Sequence, residues 1–512
     1  MSRKIVKQKP RYKQMSLETA VRNPERYKEI LSILIEYENA VLNDDNLLEI
    51  VTHLYREGIV SALRQDFNQM TIAQQKKTVK KVNLTRKADG GFPMGYASRF
   101  WTYVRTLSEF GFLYATYNDK LIISDIAKLL VKEEIDDQIA FATQAAIYNR
   151  KSPFRNVSND YNYFKFITNV LIRLNESNKT LSYEQFVVSL FNKEGNVDDF
   201  INEINSNSFS NDDSVYDYLV EKYQVNNKIG TVTKDYPDAV LRLLKITGFI
   251  SIKYAGKIRI MINHDKLQFI EQIFSNDYVF SEEQKSDRKL FFNQFILYSK
   301  QLIKTTASWT VESQEDVHIK LKKVVDEYKI DIEKIGQLLA NFVANKDREF
   351  KYVPDPLKLE FYLSLLLYLV YGKDHIIAPN YKVDSLGMPI SHAPGNHGDI
   401  YVYSDVINWL IEVTMIRNKQ QQLNNETTSV IRHLEEDTRD SYLSFVAPFV
   451  HPDTQAFYDN EIIRMLLTDK LVYLETYSIS DFVDKVMMNQ VHDSMKNYTN
   501  NIFTNVRKKL NI

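Results

Sequence analysis

The sequence predicts a multidomain, mainly α protein that ends in an α/β domain. Three observations carry that reading. The chain has 512 residues, enough for about three domains, with 44% apolar and 26% charged side chains in a globular balance. A helix followed by a hairpin is spelled twice before residue 280. From about residue 310 the apolar pattern becomes helical, broken by one strand-rich block at 398–416.

Composition removes several classes of function. Glycine and proline are scarce (14 and 12), which excludes long structureless tracts. The absence of cysteine excludes thiolate zinc sites, iron–sulfur clusters, disulfide frameworks and cysteine nucleophiles. No run reaches 18 apolar residues, and the amino terminus MSRKIVKQKPRYKQ lacks the apolar segment of a signal peptide. The expectation is a soluble, cytoplasmic protein without a membrane partner.

Net charge is −1, yet residues 1–120 hold 20 Lys and Arg against 13 Asp and Glu, and the remainder holds 45 against 53. A basic front and an acidic remainder suggest a polyanion partner. Six basic residues lie within the first 14, and six more follow at Lys76, Lys77, Lys80, Lys81, Arg86 and Lys87. Arg99 and Arg105 come next, beside Tyr96, Phe100, Trp101 and Tyr103. Basic residues interleaved with aromatics suit a phosphate backbone, with double-stranded DNA as the expected partner. For a single run the alternative is a solvated helix face.

The elements follow in order. Residues 97–110 carry Phe100, Val104 and Leu107 at helical spacing, and Gly111 stops the helix. Residues 112–117 and 120–123 then form two strands around an Asn118–Asp119 turn. Helix, glycine stop and hairpin describe the last helix and wing of a winged-helix domain. The pattern Arg105-x-Leu107-x-x-x-Gly111-Phe112 returns as Arg242-x-Leu244-x-x-x-Gly248-Phe249, again followed by a hairpin turning at Ala255–Gly256. Two related modules are expected, for DNA or, alternatively, for protein binding. Residues 201–215, rich in Asn, Ser and Asp, are expected to be a surface loop, and 281–303 a capped amphipathic connecting helix. The resulting division is 1–200 for a first recognition domain with its winged helix at about 60–130, 216–280 for a second module, 281–315 for a helical linker, and 316–512 for the last domain.

The chemistry lies in that last domain. IYVYS and NWLIEVTMI flank a polar break at Ser404–Asp405, which predicts an antiparallel hairpin. Asp399 and Glu412 are equidistant from that turn, so folding it makes them near cross-strand neighbours. Glu412 interrupts an apolar strand, where a charge is costly without a partner. Two converging carboxylates suit Mg²⁺; the alternative is a turn aspartate and a glutamate on a wet sheet face. Residues 355–370 predict a buried helix with Asp355 as cap and Pro356 at its first position, carrying Glu360. Glu426, Arg432 and His433 fall on a further expected helix. His392 and His397 flank a Pro-Gly loop with too few ligands for zinc.

An acid on a helix, an Asp at a strand start and a Glu in the next strand form the layout of the PD-(D/E)xK nucleases. PLKLEFYLSLLLYL followed by GDIYVYSDVINWLIEVT resembles the AlwI group of type II (type IIS) restriction endonucleases, a group that includes site-specific nicking enzymes. RKADGGFPMGYASRFWTYVRTLSEFGFL is similar to that group's recognition domain. The resemblance implies a Mg²⁺-dependent endonuclease that recognises a short asymmetric duplex site and cuts a few bases away, leaving 5′-phosphate and 3′-hydroxyl ends. It implies Asp399 and Glu412 as principal metal ligands, with Glu360 and Glu426 as supporting acids. Thr414 stands where the general pattern has lysine, which leaves the number of metals open, with Lys419 as a substitute cation.

No G-x-x-x-x-G-K-[ST] motif or methyl-transfer signature is present, so a DNA methyltransferase of the same system would be a separate protein. One carboxylate site cuts one strand, so a transient dimer or a small catalytic subunit is an expected partner. Two other readings stay open at this point: a strand-specific nickase or large subunit of a heterodimeric enzyme, and a non-catalytic winged-helix DNA-binding regulator.

Overall fold

The computed structural model describes residues 13–60, 64, 66–155, 157–306, 314–392, 398–405, 407–416, 422, 440–465 and 471–510. The chain divides into two compact units, Met1–Trp309 and Thr310–Ile512. Among the described residues no helix is long and apolar enough to cross a membrane.

The first unit is helical with two small sheets. Its Tyr96–Glu109 helix buries Phe100, Trp101, Val104 and Leu107. The hairpin that follows is shorter than expected: β1 (Leu113–Tyr114) pairs antiparallel with β2 (Ile122–Ile123), and Asn118 takes a left-handed turn conformation between them. Lys120 instead bridges to Val41, which draws the strand end away from its partner.

In the second copy the Tyr236–Ile246 helix leads into β4 (Ile250–Lys253) and β5 (Arg259–Ile262). A short strand from earlier in the chain, β3 (Leu181–Ser182), adds to β5 and makes a three-stranded sheet. The echo extends to the backbone. Gly111 and Gly248 both end their helices at positive φ, +64° and +72°. A side chain at either would strike a neighbour, Phe295 at 2.4 Å or Gln138 at 1.9 Å, so only glycine fits.

Three expectations here need correction. Most of 201–215 is helical, within Val197–Ser206 and Asp212–Tyr223, because Phe200, Ile204, Val215 and Leu219 recur at helical spacing and are buried. The expected connecting helix begins later, at Arg288, where Asp287 caps the Lys289 and Leu290 amides. It is also no free linker: Phe291, Phe292 and Phe295 are buried, and Thr306 meets Thr143 of the Asp137–Ile147 helix at 3.0 Å.

The second unit is a sheet covered by helices. The Asp355–Tyr371 helix is buried nearly all round, as its sequence predicts. Its cap is Pro354 rather than Asp355, which lies at the first helical position and makes no side-chain cap bond. Strands β6 (Ile376–Pro379), β7 (Lys382–Val383), β8 (Pro389–Ser391), β9 (Ile400–Tyr403), β10 (Ile407–Val413), β11 (Asp440–Ala447) and β12 (Val472–Ser478) follow. Five of them form one sheet in the order β12-β11-β10-β9-β6, parallel from β10 to β12 and antiparallel at β9 and β6; β7 and β8 pair separately. The strand content therefore exceeds the single block read at 398–416.

Leu410, Leu443, Phe445 and Leu474 pack with Tyr458, Ile462 and Phe503 from the Pro452–Met465 and Val491–Leu510 helices. Trp409, on the opposite face of β10, packs edge-on against Tyr371 and His492. Burial there, with smaller effects from His375 and Lys496, holds the His492 pKa down to about 4. Unfolding restores the ordinary value of 6.5, so the unfolded chain takes up the proton first as pH falls. Stability contributed by neutral His492 is thus full above pH 6.5 and lost toward pH 4, on the order of 2 kcal/mol. His492→Phe is expected to flatten the fall in Tm between pH 7 and 4.5, checked by calorimetry across that range.

Candidate active site

The β9–β10 hairpin positions the first two acids. Its register pairs Ile400 with Ile411, Tyr401 with Leu410, Val402 with Trp409 and Tyr403 with Asn408. Continued by one step, that register sets Asp399 opposite Glu412. The Ser404 amide donates to the Ile407 carbonyl at 3.0 Å and closes the turn. Strand β10 lies inside the sheet between β9 and β11, and Glu412 is 6% exposed. Asp399 is fixed by its neighbour: the Val413 amide donates to its Oδ2 at 2.7 Å. Gly398 lies against the pair, since a Cβ there would sit 2.9 Å from Glu412 Oε1 and 2.3 Å from Leu410 Cδ1.

Glu360 is buried on the Asp355–Tyr371 helix, 4% exposed. Its Oε1 lies 3.0 Å from Nδ1 of His392, just past β8, while its Oε2 is buried without a hydrogen-bond partner. A buried carboxylate oxygen left without a donor is costly. Together with Asp399 and Glu412 the donors are all hard oxygens, which suit a divalent cation such as Mg²⁺ in kind. Among the described residues, however, no three His, Asp or Glu side chains are gathered closely enough to hold one ion between them. Glu426, Lys419, His397, Arg432 and His433 lie outside the described residues.

Thr414, two residues after Glu412, is 6% exposed and tied into the sheet end. Its amide donates to the Val446 carbonyl at 2.9 Å and its Oγ1 accepts from the Ile416 amide at 3.1 Å. His392 is the partner that sequence spacing did not assign: it precedes the Pro-Gly loop by a residue, yet its contact is with a helix 32 residues earlier. No local pattern announces such a pairing.

The basic residues belong to the first unit. The Ile72–Val82 helix, capped by a Thr71–Gln74 box, buries Gln75 and Val79 and leaves Lys77, Lys80 and Lys81 exposed. Lys87 is exposed too, whereas Lys76 pairs with Glu49. Arg86 has its Nε buried without a hydrogen bond. Arg99 is partly turned inward, donating from Nε to the Tyr103 hydroxyl at 2.7 Å with its guanidinium 4.9 Å from that ring. The echoed arginines serve the fold: Arg105 pairs with Glu109 and Glu18, and Arg242 with Asp238.

The family model for AlwI restriction endonuclease matches residues 108–355 and 311–484. Among solved structures, the chain is similar to the small subunit of the heterodimeric restriction endonuclease R.BspD6I, with 17% identity over 34% of this chain and 98% of that one, at a TM-score of 0.26. It is also similar to restriction endonuclease FokI, at 10% identity over 93% of this chain and 97% of that one, with a TM-score of 0.25. No curated protein sequence matches it.

Proposed function

This chain belongs to the AlwI restriction endonuclease family, a family of site-specific deoxyribonucleases, and from that premise we propose that it is a type IIS enzyme: the first unit recognises a short asymmetric duplex site and the second hydrolyses a phosphodiester a few bases away. The regulator reading falls with that membership. The register of the β9–β10 hairpin is the observation that carries the catalytic part, because it sets Asp399 opposite Glu412 at the end of a buried strand.

In this reading Asp399 and Glu412 hold the metal, with Glu360 as a supporting acid in the PD-(D/E)xK layout. A bound Mg²⁺ would supply polarisation of the phosphoryl oxygen and a water acidic enough to be deprotonated near neutral pH. The chain's own part is orientation. The Val413 amide holds the Asp399 carboxylate, and His392 engages one oxygen of Glu360 while the other stays available to accept a water proton or to support the cation. The helix–glycine–hairpin segments at 96–123 and 236–262 act as winged-helix modules, with Lys77, Lys80, Lys81 and Lys87 on phosphates. A separate methyltransferase and a transient partner for the second strand complete the proposal.

Supercoiled plasmid incubated with the protein and Mg²⁺ or EDTA tests it. Metal-dependent linear fragments, with both ends offset from one asymmetric sequence in run-off mapping, are expected. Intact plasmid in Mg²⁺, or ends scattered without a common sequence, would overturn the proposal; open circles with one fixed break would recast it as nicking. Gly398→Ala is expected to slow cleavage by up to about 100-fold, because the added methyl strikes Leu410 Cδ1 first and also crowds Glu412 Oε1, and a carboxylate misplaced by about 1 Å costs that much. Single-turnover rates on the mapped site check this, with a thermal melt to separate misfolding from misplacement.

A further inference from the structure

Leu84 and Met94 are 60% and 61% exposed, on a segment that also exposes Lys80, Lys81 and Lys87. Single exposed apolar residues are ordinary. These two differ because the surrounding backbone is held rigidly. Asp89 and Phe92 exchange backbone hydrogen bonds at 3.2 and 2.9 Å. The Phe92 ring stacks on Trp101 at 5.4 Å, and the Arg288 guanidinium lies 4.7 Å from the Trp101 ring while donating to the Gly90 carbonyl at 2.9 Å. Ser98 Oγ donates to the Lys87 carbonyl at 2.6 Å, and the Gly95 amide to the Arg86 carbonyl at 2.8 Å.

That scaffold lays the Leu84 backbone alongside Gly95. The Leu84 Cα lies 3.8 Å from where a Cβ on Gly95 would stand, next in sequence to Met94. Two exposed apolar residues are thus carried on neighbouring stretches of one hydrogen-bonded support, with Lys80, Lys81 and Lys87 exposed on the same segment. Charge complementarity favours a polyanion as its occupant. The one apolar group that duplex DNA offers in its major groove is the thymine C5-methyl.

We propose that Leu84 and Met94 read thymine in the recognition site by packing on its methyl group, while the neighbouring lysines hold phosphates. The proposal rests on the DNA-recognition role given to the first unit and adds the residues that make it selective.

The test uses duplexes enriched by the full-length protein from a randomised pool, then synthesised with thymine or with uracil at each T, and measures binding in EDTA. The wild-type protein is expected to bind the thymine form at least about fourfold more tightly, the equivalent of about 0.8 kcal/mol for one buried methyl. The Leu84→Ala/Met94→Ala variant, with wild-type circular dichroism, is expected to bind both forms equally, at the wild-type affinity for uracil DNA. Leu84→Gln serves as a second variant and should also lose the preference. Equal wild-type binding to the two forms, an enriched consensus without thymine, or a preference that survives in the variants overturns this inference alone. A wild-type protein that binds neither form overturns the DNA-recognition reading with it.

Discussion

Asp399→Asn is expected to lower plasmid cleavage by three orders of magnitude or more while leaving duplex binding in EDTA within twofold of wild type. Asparagine keeps an oxygen that can accept from the Val413 amide, which now donates to Asp399 Oδ2 at 2.7 Å, so the strand end should hold its shape. What disappears is the negative charge opposite Glu412. If that charge holds a divalent cation, its loss removes several kcal/mol of transition-state stabilisation, and about 4 kcal/mol already corresponds to a factor near 1,000. Cleavage rates at rising Mg²⁺, alongside a melting curve, check the assignment. A variant that cuts within tenfold of wild type at the same Mg²⁺ would remove Asp399 from the proposed catalytic pair.

That pair was legible because an antiparallel hairpin carries its register in its sequence. Two residues equidistant from a tight turn must face each other, and the pairs from Asn408–Tyr403 to Ile411–Ile400 follow that rule. The rest of the sheet had no such signal. Strands β11 and β12 pair in parallel through long connections, so no turn announces their partners. Buried Ser441 and Ser444 also blur the apolar run of β11, although Ser444 is in place to accept from the Trp409 indole at 3.1 Å. The Asn- and Ser-rich stretch at 201–215 misled for a different reason. Residues that favour loops also cap helices, and Asn196 and Asn211 cap the two helices found there. Phe200, Ile204, Val215 and Leu219 were the better guide.

Charge was the least legible feature, since an arginine's partner can lie anywhere in the chain. Arg105 sits in the same aromatic-rich run as Arg99 and scans as part of a basic face. Its guanidinium is instead committed to Glu109, four residues on, and to Glu18, 87 residues away. Arg155 closes the network on the other oxygen of Glu109. Composition shows the surplus of cations in the front of the chain, but only the fold separates those facing solvent from those neutralised inside.

Glu109→Ala should therefore be among the most destabilising substitutions in the first unit, by about 3–5 kcal/mol. Glu109 is 1% exposed and lies 3.1 Å from Arg105 Nε and 2.9 Å from Arg155 Nε. Truncating it leaves two guanidinium groups in a largely buried setting, with Glu18 as the counterion already engaged by Arg105. The cost is the stranding of those charges more than the loss of an attraction, so Glu109→Gln, which still offers an oxygen, should fall between Ala and wild type. Urea unfolding measures the free energy, and a drop in Tm on the order of 8 °C is expected for the alanine variant. Because Glu109 ends the helix that carries Arg99, unfolding there also removes a candidate DNA-binding surface. Below its own melting range, however, the variant should cut in proportion to its folded fraction, whereas Asp399→Asn should stay inactive when fully folded. A Glu109→Ala protein within 1 kcal/mol of wild type would mean that both arginines find other partners or water without loss, and that the buried network does not hold the unit together.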